Sequence, residues 1–183
     1  MRDDMGQVRI RELKEKDSPK YFSWINNRDL VLLNSAFSPV SRESHNRWFG
    51  SIRKDKSVRV FSIVTNFEGD EDYLIGTCSL RKINDLNKNA ELQIRIGEAE
   101  FRNKGFGTIV VEKLLGFGFC DLNLHKIYLD VFRQNERARR VYLNSGFTEE
   151  GILREQAFID GKFVDISRMS ILAREFLRIK KLC

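Results

Sequence analysis

Cysteine, histidine and proline are scarce in this chain of 183 residues, and each shortage removes a class of protein. The three cysteines, Cys78, Cys120 and Cys183, are widely spaced and odd in number, which reads as reduced thiols and excludes a disulfide frame or a zinc ribbon. The two histidines, His45 and His125, complete no metal-ligand cluster with them, so no metal is expected. With only two prolines, and no repeat, low-complexity segment or Pro/Gly/Ser linker, nothing cuts the chain. A single domain over 1–183, with its core at about 8–172, is the expectation. No run approaches the roughly 18 uncharged apolar residues of a membrane span, and no membrane partner is expected. The opening MRDDMGQVRI lacks an apolar signal core, which predicts a cytoplasmic protein.

What is present suits a folded enzyme-sized domain. Hydrophobic residues make up 42% and aromatic residues 11%, enough for a core. The formal charge of +6 would suit nucleic acid, an anionic surface or a phosphorylated small molecule. Acidic residues punctuate nearly every basic run, however, and the C-terminal RIKK is short. No continuous basic stripe results, and no nucleic-acid partner is expected.

Periodicity gives a mixed α/β order. VRIREL (8–13) alternates as a strand, and 18–27 reads as a short helix. Ser41 is placed to cap a helix carrying Trp48 and Ile52 on one face. VRVFSIVT (58–65) and YLIGTCSL (73–80) read as a hairpin around the turn-rich NFEGDED. AELQIRIG (90–97) is a strand, followed by a glycine-rich turn and a helix from about Thr108 to Cys120. KIYLDVF (126–132) is a strand, Asn135 caps a helix through Asn144, and Gly146 ends it. Asp160-Gly161 in AFI-DG-KFV marks a two-residue hairpin.

The turn FRNKGFGT (101–108) poses the functional question. A P-loop fails because Arg102 stands where its second glycine belongs, and a GxGxxG turn fails at Val110. What remains is Arg102-x-x-Gly105-x-Gly107 between a strand and a helix. Successive amides at a helix start form an anion site, and glycines let an oxyanion approach the backbone. Arg102 and Lys104 add charge at the rim, so a pyrophosphate fits. A plain strand-to-helix turn is the other reading of a G-x-G.

AELQIRIGEAEFRNKGFGT (90–108), with its [RQ]xxGxG element, and NERARRVYLNSGF (135–147), with Asn135, Ala138, Tyr142 and Gly146-Phe147 in place, resemble the GNAT superfamily of acetyl-CoA-dependent N-acetyltransferases. The similarity runs from about Val8 to Leu172. LNLHKIYLDV and REQAFIDGKFVDISRMSIL look most like its branch of spermidine, ribosomal-protein N-terminal and amino-sugar acetyltransferases. The resemblance implies a mixed, mostly antiparallel sheet splayed at its central strands, with helices on both faces. It implies acetyl-CoA as cosubstrate. The pyrophosphate would lie over Phe101, Arg102, Asn103, Lys104, Gly105, Phe106, Gly107 and Thr108, and the pantetheine arm along the backbone of Ile94, Arg95 and Ile96. Asn135 would bond the pantetheine, besides capping its helix. Tyr142 would be the general acid toward the departing thiolate, a role a phenol suits. Glu91 is either the general base, acting through water, or a salt-bridging side chain.

Around these, His125 reads as a turn residue. Cys120 is expected to face the apolar side of its helix, which removes a cysteine nucleophile. Arg137, Arg139 and Arg140 divide between the CoA phosphates and a solvated face. The family builds its acceptor pocket from the two N-terminal helices and the closing hairpin. Between Tyr21 and Gly50, Asp29 and Glu43 stand against Arg28, Arg42 and Arg47, a balance poor for a polyamine. Trp24, Trp48 and Phe37 are candidates to stack on a ring. The expected acceptor is therefore a small primary amine such as an amino sugar, free or nucleotide-linked, with a polyamine or a ribosomal-protein N-terminus as the alternative. A non-catalytic acetyl-CoA sensor is the rival outside enzymes. The chain is expected to act as a monomer or homodimer.

Overall fold

The computed structural model describes residues 8–180; the opening 1–7 and Cys183, read above from sequence, lie outside the described residues. In chain order come β1 (Arg9–Glu12), α1 (Ser18–Ile25), α2 (Arg28–Val31), α3 (Arg42–Ser51), β2 (Arg59–Phe67), β3 (Asp70–Asn84) and β4 (Asn89–Ile96). Then follow α4 (Phe106–Gly116), β5 (Lys126–Phe132), α5 (Glu136–Asn144), β6 (Thr148–Ile159), β7 (Lys162–Leu172) and α6 (Ala173–Lys180). The strands form one seven-stranded sheet in the order β1-β2-β3-β4-β5-β7-β6, antiparallel except between β4 and β5. Among the described residues no helix is long and apolar enough to cross a membrane.

Strand alternation divides the core in two. Ile63 and Val64 are neighbours on β2, Leu74 and Ile75 on β3, and in each pair one side chain enters each cluster. One cluster joins Val110, Val111, Leu114 and Leu115 of α4 to Leu92, Leu129 and Met169 of the strands and Phe176 of α6. The other holds Tyr21 and Trp24 of α1, Leu30 of α2 and Phe49 of α3. Helices therefore cover both faces, α4 to α6 on one and α1 to α3 on the other. Along β4, Ala90 and Leu92 enter the first cluster, and Glu91, Gln93 and Arg95 point to the opposite face.

Several boundaries differ from the sequence reading, each for a local reason. The β2–β3 turn is only Glu68-Gly69, both at positive φ (49° and 83°), the backbone of a tight two-residue hairpin. The polar residues that read as loop are strand ends held by charge, since Arg11 and Lys14 both reach Asp72, at 2.7 and 2.9 Å. Asp160-Gly161 forms the second such turn, at φ 49° and 78°. α4 starts two residues before Thr108 and its last turn widens to a π-helix over Phe117–Asp121. That widened turn leaves Cys120 exposed rather than packed. α6 is hidden in the sequence because its amphipathic AREFLRIK follows the strand without a loop. Its cap is only Glu175, which accepts from the Leu172 amide at 2.9 Å, with no Ser, Thr, Asp or Asn at the N-cap to announce it.

The edge of the sheet is tied to α1 by a buried charge hub. Asp17, 2% exposed, accepts from Arg11 (2.7 and 2.9 Å), the Lys14 amide (2.9 Å) and the Ser62 hydroxyl (2.7 Å). Burial alone would raise its pKa, but these donors outweigh it and hold the carboxyl below its ordinary value. Asp17→Asn should lower stability by about 3 kcal/mol, because Arg11 loses its most buried partner. The melting temperature should fall by roughly 6–12 °C; a drop within 2 °C would show the hub to be dispensable.

His45, 1% exposed, sits between Phe22, Trp48 and Phe49 and donates from Nε2 to the Ser18 carbonyl at 3.1 Å. Burial lowers its pKa, so the unfolded chain takes up the proton first. Stability should be full above about pH 6.5 and decline as pH falls below it. Melting curves of the wild type and His45→Gln between pH 7.5 and 5.5 check this, the wild type losing more.

Candidate active site

β4 and β5 run parallel, but they pair over only three positions, Asn89 with Lys126, Ala90 with Ile127 and Glu91 with Tyr128. β4 continues to Ile96 and β5 to Phe132 without touching again. Their outer edges stay paired throughout, β4 with β3 as far as Ile96 and β5 with β7 as far as Phe132. The sheet therefore parts along its middle, and residues 92–96 and 129–132 face each other across a wedge, the backbone groups on that side having no strand partner. The Ile96 carbonyl is taken by Arg102 and the Phe132 carbonyl by the Asn135 backbone amide. Unpaired backbone groups inside a protein need water or a ligand. An extended, amide-rich chain is the complement of such an edge.

Close packing shapes the wide end of the wedge. A Cβ on Gly76 would lie 2.4 Å from the Arg95 carbonyl oxygen, so glycine lets β3 press against the end of β4. A Cβ on Gly97 would meet the Trp24 ring at 2.1 Å, so α1 lies directly on the turn leaving β4. The Gly97 and Glu98 amides both donate to the Ile75 carbonyl, at 2.8 and 3.2 Å. Arg102 folds back to donate to the Ile96 and Gly97 carbonyls, at 3.1 and 2.7 Å. Its guanidinium braces the turn instead of standing free at the rim.

Beyond Arg102 the chain takes left-handed values at Asn103 (φ 65°) and Gly105 (φ 83°) before α4 begins. Phe101 and Arg102 amides close a short 3-10 turn, and the Thr108 amide returns to Gly105. The amides of Asn103, Lys104, Gly105, Phe106 and Gly107 have no backbone acceptor among the described residues. A left-handed residue followed by a right-handed one curls such amides into an anion-binding concavity at the positive end of the helix. Gly107 faces α5, where a Cβ would stand at an ordinary contact distance of 3.9 Å from Val141 Cγ1.

That contact brings the second motif beside the first. Asn135 accepts from the Ala138 amide at 3.1 Å, capping α5, and its amide donates to the Leu33 carbonyl at 3.1 Å. Tyr142 is 9% exposed and tilts against Phe147. Burial pushes its hydroxyl pKa up to about 12, so the phenol keeps its proton at neutral pH. Glu91 stands at the closed end of the wedge on the α1–α3 face, its side chain 11% exposed and paired to Lys82 Nζ at 2.7 Å. Lys82 takes a left-handed backbone (φ 50°) in the irregular stretch of β3, a feature sequence periodicity does not reveal.

Over the wide end lies a cleft of about 580 Å³ between α1, α2 and the turn after β4. Asp29, Glu98 and Leu33 line it. Glu98 pairs with Lys20 at 3.2 Å, and Asp29 has no ion-pair partner among the described residues. Of the aromatic side chains expected to stack on a ring, Trp24 is buried against Gly97 and presents no free face. Trp48 is 38% exposed and already lies against Tyr21, His45 and Phe49. Arg139 is engaged by Glu149 at 2.9 Å, and Arg140 lies near Glu136 at 3.7 Å on a largely exposed helix face.

Comparison with known proteins agrees with this geometry. The acetyltransferase (GNAT) domain family matches residues 7–148. The chain is 33% identical to spermidine N(1)-acetyltransferase of Vibrio cholerae over 172 residues, covering 94% of this chain and 96% of that protein. It is 36% identical to spermidine N(1)-acetyltransferase of Escherichia coli over 123 residues, 67% of this chain and 63% of the other. Its fold superposes on the crystal structure of the Vibrio cholerae enzyme in complex with CoA and spermine with a TM-score of 0.86. That match has 32% identity and covers 93% and 98% of the two chains. A splayed sheet with a glycine turn at its mouth, matched by the family profile over most of the chain, identifies the protein as a member of the GNAT acetyltransferase family.

Proposed function

We propose that this chain transfers the acetyl group of acetyl-CoA to a primary amine, and that the amine is a polyamine of the spermidine class. The observation that carries the acceptor class is the similarity, along nearly the whole chain, to spermidine N(1)-acetyltransferases. It outweighs the charge count over 21–50, which favoured an amino sugar. Acetyl-CoA supplies the activated thioester. The unpaired edge of residues 92–96 fits its pantetheine arm, with Ile94, Arg95 and Ile96 giving backbone partners. The free amides of Asn103 to Gly107 fit its pyrophosphate.

The chain's own residues then have distinct work. A free amide on the parted edge of β4 can hold the thioester carbonyl as its oxygen gains charge. Tyr142, kept protonated by burial, gives its proton to the leaving sulfur. Glu91 takes a proton from the incoming ammonium, which requires Lys82 to yield its place on the carboxylate. Asp29, unpaired in the cleft, and Glu98 offer counter-charges to the distal ammonium groups.

A second reading rests on one observation. On the α1–α3 face beside the wedge, Arg81 pairs with Gln93 at 2.9 Å, Lys82 with Glu91 and Arg95 with Asn34, a row with three cations and one acid. Such a row favours an amine that also carries an anionic group, as a nucleotide-linked amino sugar does.

Thiol release from acetyl-CoA across a panel of amines separates the two. Spermidine and spermine should exceed free and nucleotide-linked amino sugars in kcat/KM by at least about tenfold, a margin of roughly 1.4 kcal/mol in transition-state binding. The reverse order would establish the second reading. Asp29→Asn should raise KM for spermidine with kcat little changed.

Tyr142→Phe should lower kcat by about 100-fold or more while CoA affinity stays within twofold. Because burial holds the wild-type phenol to about 12, kcat should show no falling limb where an ordinary tyrosine, near about 10, would lose its proton. An alkaline limb centred near that value, lost in the phenylalanine variant, would show that the hydroxyl titrates as an exposed one.

A further inference from the structure

The turn after α2 touches both sides of the wedge. On the β5 side, the Asn135 amide donates to the Leu33 carbonyl at 3.1 Å. On the β4 side, Arg95 Nη2 donates to Asn34 Oδ1 at 2.9 Å. Two consecutive residues thus span the gap where the strands have stopped pairing. Both ends of the segment are anchored as well. The Asn34 and Ser35 amides return to the Val31 carbonyl at 3.1 and 2.9 Å. Asn26 exchanges two hydrogen bonds with Val40, at 3.1 and 2.9 Å. Leu33 also lines the cleft assigned to the acceptor.

The two bridging side chains are incompletely used. Asn135 spends its oxygen on the α5 cap and one amide hydrogen on Leu33, which leaves the second hydrogen with no partner among the described residues. Arg95 has its Nε buried with no partner among the described residues. A buried donor without an acceptor is costly and marks a place where an arriving group is stabilised. Arg95 Nε is such a donor on the β4 side; on the β5 side the free hydrogen belongs to the half-buried Asn135 side-chain amide, and the same two-residue segment orients both side chains.

We propose that Leu33-Asn34 is a strap across the wedge, and that Arg95 and Asn135 are positioning residues through which strap closure and seating of the pantetheine arm strengthen each other. This rests on the reading that the wedge takes acetyl-CoA. The strap orients both donors before the arm arrives, and the arm satisfies those donors and so holds the strap. Coupling of this kind is reciprocal, so loosening the strap weakens CoA binding even where no contact to CoA is removed. The same closure places Leu33 against the acceptor cleft, so the cofactor and acceptor sites are completed together.

Calorimetric titration with CoA alone, without an amine, tests this on Asn34→Ala, Arg95→Ala, the double variant and Arg95→Lys. Both alanine variants should bind CoA more weakly by about five- to tenfold. The double variant should be no weaker than Arg95→Ala, because that change already cuts the connection to Asn34. Arg95→Lys, which keeps a donor for Asn34, should recover most of the affinity. Backbone hydrogen exchange over residues 32–36 should slow when CoA binds the wild type and remain unchanged in the alanine variants, with melting temperatures confirming an intact fold. CoA affinities within twofold of wild type, additive losses in the double variant, or exchange at 32–36 that ignores bound CoA would each overturn the strap while leaving the acetyltransferase reading intact. A wild type that binds no CoA would remove that reading and the strap with it.

Discussion

Three backbone pairs hold β4 to β5, and the rest of the site depends on their stopping at Glu91 and Tyr128. A parallel pair that continued would satisfy every backbone group and leave no opening. Because the outer edges of both strands remain paired, the break is confined to one line through the sheet. The cores on its two faces lock the strands in their parted positions, with α4 and α6 on one side and α1 on the other. The fold thus carries unpaired backbone polarity where an extended ligand can supply the missing partners. The glycine turn lies at the wide end of the wedge because α4 follows β4 directly.

The electrostatic surroundings differ between the two faces. On the α4–α5 side, Tyr142 lies in apolar surroundings that keep it neutral. On the α1–α3 side, Glu91 remains ionically paired and Asp29 lies open to the cleft. A neutral phenol and the two carboxylates are thereby separated by the sheet itself, with the wedge between them.

Much of this was legible in the sequence, and the parts that were not share a cause. Strand alternation gave β5 to the residue, and Asp160-Gly161 announced its turn because both residues tolerate positive φ. Asn135 declared the start of α5 through its short polar side chain, and Gly146, at φ 93°, its end. The turn at 101–108 stood out through its glycines, which linked it to the resemblance carried by the second motif. What sequence could not show were contacts between distant elements. Trp24 reads in sequence as available for stacking, but its ring lies on Gly97, and the guanidinium of Arg102, which reads as a charge at the rim, is held by the strand-end carbonyls. Cys120 was misplaced because a π-turn rotates the helix face by an amount that periodicity does not encode. The charge balance over 21–50 is a weak guide to the acceptor for a related reason. Counting charges over 21–50 treats the segment as one surface, whereas only Asp29 of those charges lines the cleft.

The most direct test of the parted sheet as the cofactor site is a crystal structure of the protein with acetyl-CoA. The pantetheine amides should pair with the backbone of residues 92–96, and the pyrophosphate should rest on the amides of Asn103 to Gly107. Acetyl-CoA bound elsewhere, or a wedge closed by continued pairing of β4 with β5, would contradict the assignment at its base.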